Sequence, residues 1–299
     1  MTHAPIGLIS SAASETLLQD RLTEMVSTPF GDAPVLTGTI AGREAAVILR
    51  YSANLTVPSH KINYRANIWA LRELGVESII SQNAIGSVNP AIRPGDIVIS
   101  DDFLDRTKDR QQSLFDECDC WVRVDFTDPF CPRLRADLIR SATKFSNRVI
   151  ERGVFVCTEG PRFETPAEIR SFQREGGDIV GTPLVPEVVF AREAEMCFAS
   201  IAPVINFGAG MAPAVVHFGP GSMNDAYYRE GLHDLIEKTL IDAIGTVSHE
   251  RDCNCRNALV GGFHGVPPAW LKSKNVIDDA EPVDIFAALD KGSERHKRS

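Results

Sequence analysis

Short apolar runs alternate with stretches in which apolar residues recur every three or four positions, from the start of the chain to about residue 249. Strands interleaved with helices produce that alternation, so the pattern predicts an α/β fold with a parallel or mixed central sheet flanked by helices. Ile6-Gly-Leu-Ile9 reads as a first strand running into the small-residue turn Ser10-Ser-Ala-Ala-Ser14. Residues 35–40 and 45–50 flank Ala41-Gly-Arg-Glu44, which predicts an antiparallel pair joined by a turn. Within 60–75, Ile62, Ala66, Trp69 and Ala70 fall at helical spacing, and Gly75 stands where a C-terminal glycine is expected. Further strands are expected at 78–81, 96–100, 153–157 and 198–207. Helices are expected at 132–145 and from Pro166 and Pro186, proline being well suited to a first helical position. Leu232, Leu235, Ile236, Leu240, Ala243, Ile244 and Val247 mark one face of a last amphipathic helix.

Beyond residue 249 the pattern changes to Gly261-Gly262, Pro267-Pro268 and a polar end. Residues 1–249 are therefore read as one domain and 250–299 as an appended, partly irregular tail with a short helix at 283–289. The charge balance, 31 Lys and Arg against 40 Asp and Glu for a net −9, argues against a nucleic-acid partner. No apolar run approaches the ~20 residues of a membrane span, and the N-terminus lacks the basic and apolar regions of a secretory leader. A cytoplasmic protein with no membrane partner is the expectation. Seven cysteines include the pairs Cys118/Cys120 and Cys253/Cys255, with Cys131, Cys157 and Cys197 in or beside apolar segments. Structural zinc prefers Cys-x₂₋₄-Cys spacing, and no histidine follows at the usual interval, so free thiols and no metal are expected. A redox-active pair at Cys253 and Cys255 is the alternative.

Generic phosphate-loop, dinucleotide, zinc-protease and nucleophile-elbow motifs are missing from the sequence. Three polar segments instead follow apolar strands, where ligands gather in open α/β sheets. They are Gln82-Asn-Ala-Ile-Gly-Ser87, Thr158-Glu-Gly-Pro-Arg-Phe-Glu-Thr165 and Asn206-Phe-Gly-Ala-Gly210. With Ser27-Thr-Pro-Phe-Gly31, Lys61-Ile-Asn-Tyr-Arg-Ala-Asn-Ile-Trp-Ala-Leu71, Pro94-Gly-Asp-Ile-Val98 and Val185-Pro-Glu-Val188, they give several motifs in order over residues 5–247. In this the chain resembles the trimeric purine nucleoside phosphorylase and 5′-methylthioadenosine phosphorylase family. The resemblance implies a single-domain nucleoside phosphorylase fold, a homotrimer, a purine nucleoside substrate, no cofactor, and phosphate as co-substrate.

By the same resemblance Asn206 would hydrogen-bond the purine at N7 and its 6-substituent, Glu164 would hold N1, and Phe163 would pack near base and sugar. The 6-amino branch typically has aspartates near Asn206 and Gly208, so 6-oxopurines are expected here. Alternatively, Asn206 satisfies the end of a buried strand and Glu164 complements a helix dipole. On the anion side Arg50 matches the family's phosphate-binding arginine, Asn83 and Ala84 its phosphate and sugar contacts, and Thr182 its ribose contact. Arg50 is alternatively a surface charge at a strand end. Arg123 falls near the residue that a neighbouring subunit lends to the 5′ side of the sugar, though a solvated arginine in a variable loop is the favoured reading.

The sequence departs from the family around phosphate. Its first loop lacks glycines, the stretch after Arg50 lacks histidines, and Pro183 replaces a hydroxyl residue and brings no N–H. Two readings follow: an enzyme that cleaves or exchanges the N-glycosidic bond with phosphate, water or another acceptor, or a catalytically impaired member that binds a purine compound.

Overall fold

The computed structural model describes residues 5–10, 14–212, 227–228, 231–248 and 250–265. β1 (Ile6–Ser10) lies between β4 (Arg43–Leu49) and β5 (Ser78–Gln82), parallel to both. All five of its residues are buried, as in a strand covered on both faces. β2 (Gln19–Thr28) and β3 (Gly31–Ile40) extend this side of the sheet in antiparallel fashion from β4. The β3–β4 turn passes through Ala41 and Gly42, both with positive φ, at the position the sequence indicates. β2 had no counterpart in the apolar pattern because only Val26 of its ten residues is buried.

On its other side β5 pairs with β13 (Cys197–Phe207), and the sheet continues through β6 (Ile85–Ser87), β12 (Ile179–Gly181), β11 (Val154–Thr158) and β8 (Asp102–Arg106). β7 (Ile97–Ile99) runs antiparallel to β13 and carries β10 (Val149–Ile150). The sheet is thus mixed, with β6 parallel to β13 and antiparallel to β12.

α1 (Tyr64–Glu73) and α4 (Leu184–Glu193) share one core, and α2 (Pro132–Phe145) and α5 (Leu232–Thr246) share another. α1 begins at Asn63, whose side chain accepts from the Ala66 N–H at 3.1 Å, and closes on Gly75 at φ 80°. Ala66, Trp69 and Ala70 are all buried against the core, each large apolar side chain contributing on the order of 1.5–3 kcal/mol. Val185 is extended (φ −101°, ψ 129°), so the uninterrupted part of α4 opens at Pro186. Among the described residues no helix is long and apolar enough to cross a membrane.

Beyond residue 249, where a partly irregular tail is expected, the described residues hold further elements. Residues 254–257 form a 3₁₀ turn, and β14 (Phe263–Gly265) pairs antiparallel with β9 (Cys120–Val122). Cys255 and Leu259 are buried, and Phe263 meets Phe115 edge-on at 5.7 Å. This stretch packs on the body although its glycines read as a tail; the expected helix at 283–289 lies outside the described residues.

Candidate active site

The strand ends of β5, β6, β11, β12 and β13 surround a cleft of about 270 Å³ whose lining includes Tyr51, Ala84, Gly86, Phe163, Glu164, Thr182 and Asn206. Asn206 owes its position to an irregularity in β13. Val204 pairs with Ile85 and Asn206 with Gly86, so Ile205 is an extra residue on β13. Such a bulge re-aims the side chain beyond it. Gly86 completes the arrangement, because a Cβ there would lie 3.3 Å from Asn206 Nδ2 and press the amide out of place. Asn206 Nδ2 donates to the Phe207 carbonyl at 2.8 Å, leaving a second amide proton and Oδ1 for a ligand.

Glu164 lies two residues ahead of α3 (Pro166–Arg174). The helix-capping role suggested for it is filled by another carboxylate. Thr165 Oγ1 accepts from the Glu168 N–H, while Glu168 Oε2 accepts from the Thr165 N–H. Hydrogen bonds from Arg162 and from the Thr165 N–H hold the Glu168 carboxyl down at about 2. Glu164 turns to the cleft, with Oε1 accepting from Thr158 Oγ1 at 2.6 Å. Phe163, 42% exposed, forms the outer wall beside it.

Thr182 and Tyr51 meet on the opposite wall, their oxygens 3.2 Å apart. Burial raises the Tyr51 phenol, so it serves as a neutral hydroxyl. Behind them Arg110 donates to the carbonyls of Thr158, Glu159, Thr182 and Val185 and thereby ties together the loops after β11 and β12. Neither Tyr51 nor Arg110 was singled out by the sequence. Tyr51 follows Arg50 and could have been found by asking what replaces the missing histidines; Arg110 stands in a polar loop with no distinguishing pattern.

The residues expected on the anion side are placed differently. Arg50 is not a surface charge, being 2% exposed. Its guanidinium forms a two-pronged pair with Glu187, Nε to Oε1 at 2.8 Å and Nη2 to Oε2 at 3.0 Å. It also donates to the Gln82 carbonyl and Ser81 Oγ, and it is not part of the cleft lining. The Asn83 side chain is directed into the sheet, donating to Ser200 Oγ at 3.0 Å and to Ser81, while its neighbour Ala84 does line the cleft. Ser10 Oγ donates to Gln82 Oε1 at 2.9 Å; residues 11–13 lie outside the described residues. Pro183 precedes α4 at the cleft without a side-chain cap.

Arg123 is not part of this cleft within one chain. It stacks over Trp121 and lines a second cavity of about 610 Å³ beside β14, with Arg192 and Asn257. That cavity is larger, but strand-end polar groups do not converge on it, and the first cleft is the better site.

The profile of the Phosphorylase superfamily matches residues 6–236. The 6-oxopurine nucleoside phosphorylase of Pyrococcus furiosus is 42% identical over 250 residues, covering 81% of this chain and 92% of the relative. A probable S-methyl-5′-thioinosine phosphorylase of Methanothermobacter thermautotrophicus is 46% identical over 238 residues, 78% of this chain and 80% of the relative. Among solved structures, a methylthioadenosine phosphorylase from an antarctic soil metagenomic library superposes with a TM-score of 0.82 at 26% identity, over 90% of this chain and 95% of that one. The methylthioadenosine phosphorylase of Schistosoma mansoni in complex with adenine gives 0.75 at 29% identity, over 83% of this chain and 93% of that one. A profile match spanning most of the chain, with relatives above 40% identity along four fifths or more of their own length, makes this chain a member of the phosphorylase superfamily.

Proposed function

We propose that the strand-end cleft binds a purine nucleoside and that the chain breaks its N-glycosidic bond as a pentosyltransferase, preferring 6-oxopurines and using phosphate weakly. The observation that carries this reading is the contrast between an Asn206 and Glu164 pair that lines the cleft with spare hydrogen-bonding capacity and an Arg50 outside that lining, neutralised by Glu187. As the bond breaks, the sugar becomes oxocarbenium-like and negative charge develops on the purine. A proton donated by Asn206 to N7 stabilises that charge where it forms, which lowers the barrier more than it tightens ground-state binding. Once the amide rotates off the Phe207 carbonyl, its two Nδ2 protons suit a 6-oxopurine, one for N7 and one for O6, and Glu164 Oε2 accepts from a protonated N1. The relatives named for 6-oxopurine nucleosides agree with this choice.

Phe163 and Thr182 bound the sugar in this reading, and Ala84 contributes backbone. Arg123 enters only if a neighbouring subunit of a trimer lends it to the 5′ side; a monomer in solution scattering removes it from the site. The test is to incubate the purified protein with inosine, guanosine, adenosine and methylthioadenosine, with and without phosphate, and to measure free base. Release of hypoxanthine or guanine with little dependence on millimolar phosphate is expected. Adenine release in preference overturns the base assignment, and binding without release favours the reading of an impaired, purine-binding member, for which the neutralised Arg50 is the specific support.

A further inference from the structure

The four sulfurs of Cys131, Cys197, Cys253 and Cys255 all lie within 4.8 Å of one another, on the side of the molecule where residues 250–265 dock. They come from three separate parts of the fold. Cys131 precedes α2, Cys197 opens β13, and Cys253 and Cys255 flank the start of the short 3₁₀ turn at 254–257. Cys131, Cys197 and Cys255 are buried and Cys253 half-buried. Tetrahedral zinc bound at about 2.3 Å to four thiolates separates the sulfurs by about 3.8 Å, a spacing this cluster brackets. Cys197 and Cys253 are 3.4 Å apart. That is well beyond the ~2.05 Å of a disulfide, and a short contraction of the widest pairs centres an ion among all four.

Charge supplies the independent observation. Three arginines converge on this cluster: Arg133 Nη2 reaches Cys197 Sγ at 3.6 Å, Arg192 Nη1 reaches Cys255 Sγ at 3.5 Å, and Arg251 acts electrostatically on Cys197. The Nε of each of the three is buried with no hydrogen-bond partner among the described residues. Asp137 and Asp252 approach Arg133 only at 3.6 and 4.0 Å, and Arg251 is otherwise held by the Glu195 carbonyl. Three half-buried guanidiniums around four neutral thiols are only partly compensated by Asp137, Asp252 and Glu195, which is costly where bulk water is excluded from each Nε. Four thiolates around one divalent cation form a dianion, and the arginines are then its counterions.

We propose that Cys131, Cys197, Cys253 and Cys255 form a structural zinc site that fastens residues 250–265 to the body of the protein. On loading, four Sγ–H bonds break, four Zn–S bonds form and four protons leave to solvent, with no change of oxidation state. The site is closed by four protein ligands and has no role in the reaction. Cys-x-Cys spacing argues against zinc only when both ligand pairs must come from local knuckles; here the fold brings Cys131 and Cys197 to meet a single pair.

The test uses the full-length chain, produced with zinc in the medium and purified under reducing conditions without a metal-affinity step. Elemental analysis is expected to find about one zinc per chain after dialysis against a weak chelator. Anaerobic titration of the stripped, reduced protein with cobalt(II) is expected to saturate at the same ratio, with the intense visible bands of tetrahedral cobalt thiolate. The pair of substitutions Cys253→Ser and Cys255→Ser should abolish zinc retention, while Cys118→Ser with Cys120→Ser should leave it unchanged. Substoichiometric zinc together with no thiolate bands in the wild-type titration overturns the proposal. So does retention of zinc by the Cys253→Ser, Cys255→Ser chain. A disulfide joining any two of the four cysteines in protein lysed directly into a thiol-trapping reagent also overturns it. The cobalt spectrum is read on the wild-type chain, so a variant that fails to fold does not shield the idea.

Discussion

The proposed base end of the site lines the cleft while Arg50, Asn83 and Ser10 of the expected anion end do not, and the two finish in opposite states. At the base end, Asn206 and Glu164 each spend part of their hydrogen-bonding capacity on the protein and keep the rest for a ligand. At the anion end, Arg50, Asn83 and Ser10 direct their donors into the protein itself, to Glu187, Ser81, Ser200 and Gln82. The difference shows that a residue's type and position do not make it a ligand contact. What counts is whether its neighbours have already satisfied it. A guanidinium facing a buried carboxylate has little electrostatic attraction left for a phosphate.

The sharpest way to break this comparison is to remove the carboxylate. Glu187→Ala leaves Arg50 buried without its pair, and loss of one partner of a buried ion pair typically costs about 3–5 kcal/mol of stability. Urea unfolding should show a loss of that size. If the pair is structural, Arg50→Met combined with Glu187→Leu recovers most of it, because both charges leave together. A double variant as unstable as the single one would mean that Glu187 does something other than neutralise Arg50.

At the opposite end, Asn206→Ala should lower base release by about 10²–10³, the usual cost of a donor that acts mainly in the transition state. The loss should fall on kcat more than on KM. Unchanged turnover would leave the bulge of β13 without a catalytic purpose. Asn206→Asp should move preference from 6-oxo to 6-amino purines, since a carboxylate accepts from an amino group and repels a carbonyl.

Much of the fold was legible because its central strands are buried on both faces and therefore appear as unbroken apolar runs, as at 6–9 and 198–207. β2 was not, since its exposed residues leave no period to detect. That Glu164 and Asn206 meet in one cleft was legible for a related reason: Asn206 stands near the end of the buried strand β13 and Glu164 in the loop that follows the buried strand β11. The state of Arg50 was not, because Glu187 lies 137 positions away and only the packing of α4 against the sheet brings them together. The meeting of four cysteines was not legible for the same reason, as spacing along the chain carries no information about Cys131 approaching Cys255.

Glu193, on the same helix as Glu187, shows what such a carboxylate does with no arginine to meet it. It is buried and receives hydrogen bonds from Ser113 Oγ at 2.8 Å and the Leu114 N–H at 2.6 Å. Burial still pushes it up from 4.5 to about 7. Between those values the folded chain holds a proton that the unfolded chain has released. This contribution is therefore most favourable below pH 4.5 and is lost as pH rises to 7. At about 1.36 kcal/mol per unit the loss is at most about 3 kcal/mol, and Glu193→Gln should flatten the slope. Equal slopes for the two chains in urea melts at pH 5 and 7.5 would remove Glu193 as its source.

The smallest effect is expected from the change that looks most like a repair. Pro183 contributes neither hydroxyl nor N–H at the cleft, so Pro183→Ser restores one donor. A donor to a charged oxygen is worth roughly 1.5–3 kcal/mol, but only when the ion is already seated by others. With Arg50 held by Glu187 and no glycine at residues 11–13 to admit close backbone approach, one hydroxyl has nothing to cooperate with. Pro183→Ser alone should therefore change the phosphate response of base release by less than about twofold. Combined with Ser11→Gly and Ala12→Gly it should produce clear phosphate activation. Saturable activation of the unaltered protein by micromolar phosphate would show instead that the anion end is already complete, with Ser10 or Ser11 and the Ala84 backbone supplying what Arg50 does not.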